Sequence, residues 1–106
     1  MEQQKSPKSR SSDRHAPRTL AVATVAMACD PDPAVNRDRI AETVRRIRRD
    51  HPEVRLVHFG ETILGWYSKK GETAAYHRRI AEPIPGPSTA ALGALAREQD
   101  VYLSSV

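Results

Sequence analysis

VRLVHFGETILGWY, residues 54–67, decides how this chain is read. Val54, Leu56, Val57 and Phe59 give the first six residues the composition of a strand, and Gly60 and Glu61 follow without a break. A second apolar group, Ile63, Leu64, Trp66 and Tyr67, comes directly after. A carboxylate at the point where a strand ends serves either a surface turn or a site at the carboxyl end of that strand. The residues alone leave both readings open.

Working upstream, residues 33–50 carry Val35, Ile40, Ala41, Val44 and Ile47 at the spacing of one helical face. Asp32 stands where an N-cap belongs, and Pro33 occupies the first helical position, where its missing N–H costs nothing. His51-Pro52 closes the helix. Its other face holds Arg37, Arg39, Arg45, Arg46, Arg48 and Arg49. A nucleic-acid surface is one reading of that cluster. The simpler one is the solvated side of a helix packed on a sheet, with cations near its C-terminal dipole.

Before this helix runs LAVATVAMA, residues 20–28, a continuous apolar stretch closed by CDPDP. Its length suits a strand buried on both faces; a buried helical segment is the alternative, stopped early by Pro31 and Pro33. Strand, helix, strand is the βαβ signature, so the two strands should be parallel with a right-handed connection.

Downstream, GETILGWYSKKGET is a glycine-rich loop. A short helix is expected around residues 73–82, then the turn PIPGP. Ser88 is expected to cap another helix with Ala91, Leu92, Leu95 and Ala96 as its apolar stripe, and residues 101–106 read as a third strand. No internal repeat is visible. The expected fold is α/β, with three mostly parallel strands alternating with helices. Nothing after the third strand is available to cover the second face of the sheet.

The chain has 106 residues, enough for one small domain, and its formal net charge of +4 is unevenly placed. Residues 1–18 hold Lys5, Lys8, Arg10, Arg14 and Arg18 against Glu2 and Asp13, whereas the rest holds 12 basic and 11 acidic side chains. This first segment contains no large apolar residue except Met1 and is read as a disordered basic tail ahead of a domain over residues 19–106. The apolar run at 20–28 comes too late for a signal peptide and is too short to span a bilayer. Cys29 is the only cysteine, which excludes an internal disulfide and a cysteine-based zinc cluster. No metal, cofactor or membrane contact is expected, and a cytoplasmic location fits. His15, His51, His58 and His77 lack metal-ligand spacing, and His58 is most simply a histidine on one face of the sheet.

Glu61 sits two residues past Phe59, where open α/β sheets bind their ligands. Gly60 allows a sharp turn there, and Ile63, Leu64, Trp66 and Tyr67 are placed to exclude solvent. A carboxylate in such a pocket would have the raised pKa that a general base needs. Trp66 and Tyr67 are substrate-pocket candidates, with core or interface packing as the equal alternative.

An ordered series of features, covering most of residues 20–106, resembles the N-terminal part of the nitrilase superfamily, the carbon–nitrogen hydrolases. The series is the strand LAVATVAMA, Asn36 in VNRDRI, LVHFGETILGWY, the PIPGPST segment, the helix ALGALAREQ and the strand VYLSS. The resemblance implies a partial αββα sandwich and a Glu–Lys–Cys triad acting on a small amide or nitrile. Within it, Glu61 is the general base. The triad's lysine and cysteine come from later strands in that family. Lys69 and Lys70 follow Glu61 too closely to serve, and Cys29, at the end of the first strand, is read as a small packing residue. The expected function is therefore that of a truncated carbon–nitrogen hydrolase, inactive alone. The alternative is a non-catalytic α/β module that associates through its open sheet. Self-association is expected, and nucleic acid is not expected among its partners.

Overall fold

The computed structural model describes residues 18–61, 63–65 and 73–105. Of the tail read over residues 1–18, only Arg18 falls within them, and Trp66, Tyr67, Lys69 and Lys70 lie outside. The elements are β1 (Ala21–Val25), α1 (Pro33–Asp50), β2 (Val54–Phe59), α2 (Thr73–Ile80), α3 (Pro87–Gln99) and β3 (Tyr102–Ser105). They form a small α/β domain.

The local signals act as the sequence implies at α1. The Asp32 carboxylate accepts the Ala34 N–H at 2.9 Å, Pro33 follows it, and the His51 N–H closes the last turn on the Ile47 carbonyl. Asn36, Ile40 and Val44 form the buried stripe. The three strands pair in the order β1-β2-β3, all parallel. Both connections advance along the sheet in one direction, so connections of one hand bring their helices to one side. Accordingly Ile40 and Val44 of α1 share a core with Leu95 of α3, Val57 and Phe59.

The pairing register explains an apolar pattern in β2 that does not alternate. Ala21 pairs with Val54, but the next residue, Val22, pairs with Leu56. Arg55 is thus an extra residue, a bulge that returns Val54 to the side of Val57 and Phe59. Its guanidinium swings out to Asp100, 3.4 Å from the carboxylate.

Three expectations are corrected. The first strand spans Ala21–Val25, not residues 20–28, and it is not buried on both faces: Leu20 is 58% and Val22 46% exposed. Among the described residues, α1 and α3 pack on one face, and on the other Val22 and Thr24 meet solvent. α2 and α3 also follow one another without a strand between them, which breaks the alternation. Finally, Ser88 does not cap α3. Gly86 is the N-cap, its N–H donating to Thr89 Oγ1 at 2.7 Å, and α3 begins at Pro87. A Cβ at position 86 would stand 2.4 Å from the Pro83 carbonyl oxygen, so only glycine fits this turn.

The arginine face of α1 is more engaged than a solvated surface. Arg48 donates to the carbonyls of Gln99 (2.8 Å), Val54 (2.9 Å) and Pro52, fastening the ends of α1 and α3 to the start of β2. Arg39 donates to the Ala28 carbonyl, and Arg45 makes a two-pronged pair with Glu98 at 2.8 and 3.1 Å. The Arg45 hydrogen bond, with a second from Gln99, holds the Glu98 carboxyl down at about 2. Its folded-state pKa lies below the ordinary 4.5, so the stability it contributes is present above about pH 4.5 and lost as pH falls toward 2. Glu98→Gln should therefore flatten the dependence of melting temperature on pH across that window. An unchanged slope would show that the pair is not formed in solution.

Candidate functional site

The carboxyl end of the sheet gathers the loop after β1, the turn after β2 and the end of β3. Glu61 lies in the turn after β2, the central strand. That turn is held from both sides. Ser105 of β3 donates its hydroxyl to the Gly60 carbonyl at 2.9 Å, and the Cys29 thiol lies 3.4 Å from the Ile63 carbonyl. The turn thus joins the end of β3 to the loop after β1 through its own backbone.

The loop carrying Cys29 is shaped by Asn36, which is fully buried. Its side-chain oxygen accepts the Asp30 N–H and its amide donates to the Asp30 carbonyl, each at 2.7 Å. One amide side chain thereby satisfies both backbone groups of a non-helical residue. Pro31, next in the loop, accepts the hydroxyl of the buried Tyr76 at 2.7 Å, which anchors α2. Gly65 packs against the same ring; a Cβ there would lie 2.8 Å from the Tyr76 hydroxyl and 2.7 Å from Ile80.

A polar cluster flanks this region where α1 meets α3. The Ser88 hydroxyl donates to Glu82 at 2.5 Å, the Ser88 N–H donates to the same carboxylate at 2.7 Å, and Arg37 donates to the Ser88 hydroxyl at 3.0 Å. These bonds, the hydroxyl's first, hold Glu82 below the ordinary carboxylate range. A carboxylate so stabilised caps the start of α3 and is a poor proton acceptor.

The structure brings Glu61, Cys29 and Ser105 to one end of the sheet, but the dry pocket expected around Glu61 is not formed by the described residues. Residue 61 is exposed, and Ile63, 7% exposed, turns into the core instead of over the carboxylate. Two cavities lie nearby, neither lined by Glu61. One of about 240 Å³ is bounded by Phe59, Ile63, Leu92, Leu103 and Ser105. The other, about 530 Å³, lies among Pro31, Arg37, Tyr76, Arg79 and Glu82. Among the described residues no three His, Cys, Asp or Glu side chains gather as a metal site, and no helix is long and apolar enough to cross a membrane.

Sequence reasoning missed the structural roles of Ser105 and Glu82. Neither carries a local signal, since each acts on a residue distant in the chain or across a turn. Comparison with protein-family models, characterised proteins and solved structures finds no match for this chain.

Proposed function

We propose that residues 19–106 are the N-terminal portion of a carbon–nitrogen hydrolase sandwich, with Glu61 as the general base of its Glu–Lys–Cys triad. The observation that carries the reading is the placement of Glu61: in a turn bonded to the end of β3 and to the loop after β1, at the carboxyl end of the central strand of a parallel sheet. The sheet's helices on one side and open face on the other match half of an αββα sandwich.

In this chemistry the carboxylate takes the proton of the attacking thiol and passes it to the leaving ammonia or amine. It then takes a proton from the water that cleaves the thioester. A lysine steadies the oxyanion formed at each addition. Cys29 does not fit the nucleophile's place, because its sulfur is in the loop after β1 and lies against the Ile63 carbonyl. The 106-residue polypeptide is therefore expected to release no ammonia from small primary amides or nitriles, because loss of the nucleophile removes most of the rate. Turnover abolished by Glu61→Gln would overturn that expectation of inactivity while supporting the carboxylate's role.

The ancestry itself is tested by translating the genomic DNA beyond the Val106 codon in all three frames. A lysine-bearing strand segment followed by a cysteine-bearing one supports the reading. Absence of both in every frame, or of any lysine and cysteine in that order, overturns it.

A further inference from the structure

The larger cavity, about 530 Å³, has no part in the chemistry assigned to Glu61. It is walled by the start of α1, the end of α2 and the turn that leads into α3. None of the described residues lining it belongs to a strand, so a second sheet laid on the open face would not fill it. Four charged side chains line it: Asp32, Arg37, Arg79 and Glu82. Two of these are committed to each other, since Arg37 and Glu82 stand 3.7 Å apart and both bond the Ser88 hydroxyl. The other two are not. Asp32 accepts the Ala34 N–H with one carboxylate oxygen, and no described residue bonds the second. Arg79 lies over the Tyr76 ring, 5.6 Å from its centre, and donates no hydrogen bond among the described residues. The ring steadies the guanidinium and leaves its N–H donors open. An acid and a base thus line one cavity without forming an ion pair.

We propose that this cavity binds a free α-amino acid with an apolar side chain, its ammonium against Asp32 and its carboxylate against Arg79. A lining with two cations and two anions has no net charge, so it favours a dipolar molecule over a simple ion of either sign. The planar guanidinium matches a carboxylate in two-pronged geometry, and the Asp32 oxygen is an acceptor suited to an ammonium. Pro33, Ile80 and Pro87 supply apolar surface for the ligand's side chain. The volume falls within the roughly 300–1,000 Å³ of small-molecule sites. Asp32 and Arg79 are both exposed and meet the ligand in competition with water, which sets a weak dissociation constant of about 1 mM.

Titration of the isotope-labelled full chain with L-leucine at neutral pH, followed by amide chemical shifts, tests this. Saturable shifts are expected at Ala34, Arg37 and Ile80, half complete near about 1 mM. Isocaproate, which is leucine without its ammonium, and isoamylamine, which is leucine without its carboxylate, should each bind at least about tenfold more weakly. Arg79→Gln should reduce L-leucine to the affinity of the amine. Asp32→Asn keeps a capping oxygen for α1 and should reduce L-leucine to the affinity of the acid. Arg46→Gln, farther along α1 and outside the lining, should change nothing. The absence of saturable shifts up to about 20 mM L-leucine overturns the proposal. So does binding that Arg79→Gln and Asp32→Asn both leave unchanged, or isocaproate and isoamylamine binding as tightly as leucine. None of these outcomes bears on the role proposed for Glu61, which does not line the cavity.

Discussion

Asn36→Leu should lower the folding free energy by about 3 kcal/mol. The leucine preserves volume but leaves the Asp30 N–H and carbonyl, both bonded to the Asn36 side chain, without partners in a partly buried loop. Each such orphaned backbone group costs about 1–3 kcal/mol, against a total stability of about 5–15 kcal/mol for a domain. Asn36→Asp separates the two bonds, since a carboxylate still accepts the Asp30 N–H but faces the Asp30 carbonyl with no donor. It should lose at least as much. The measurement is urea unfolding at matched m-values, and a loss under about 0.5 kcal/mol for Asn36→Leu would show that the loop reorganises freely. The damage should spread to α2, because the same loop presents the Pro31 carbonyl to Tyr76.

Phe59→Ala should cost about 4 kcal/mol, the other large effect. Phe59 is 1% exposed at the end of the central strand, and it lines the cavity of about 240 Å³ shared with Ile63, Leu92 and Leu103. Truncation enlarges a space that its walls already fail to close, so relaxation recovers little. Phe59→Leu should restore more than half of the loss. Equal unfolding midpoints for the alanine and leucine variants would mean that the cavity walls collapse after all. The residue also leads directly into the Gly60–Glu61 turn, so its packing fixes where the candidate base stands.

Much of this was legible because the signals were local. Asp32-Pro33 announces α1 with its own side chain and ring, and the apolar content of VRLVHF marks β2 to the residue. Parallel pairing followed from the helix between two strands. The errors came where distant partners decide. Burial of LAVATVAMA on both faces assumed helices on both sides of the sheet, and the structure supplies them on one. The bulge at Arg55 leaves no mark in composition, because it is a property of pairing with β1. Arg48 looked like one more solvated arginine; its acceptors are three carbonyls from two separate stretches of chain, the start of β2 and the end of α3. For Glu61, position along the strand was readable, but the environment was not, because it depends on which way Ile63 turns.

The one-way strand order β1-β2-β3 has a further geometric consequence. Adjacent loops at the carboxyl ends of strands separate only where the order doubles back, since only there do neighbouring connections leave toward opposite sides of the sheet. Here α1 and α3, which lie between β1 and β2 and between β2 and β3, share one layer, so the strand order provides no such separation. A cleft beside Glu61 would therefore be opened by a further strand laid along the free margin of β1 and followed by a helix on the far side.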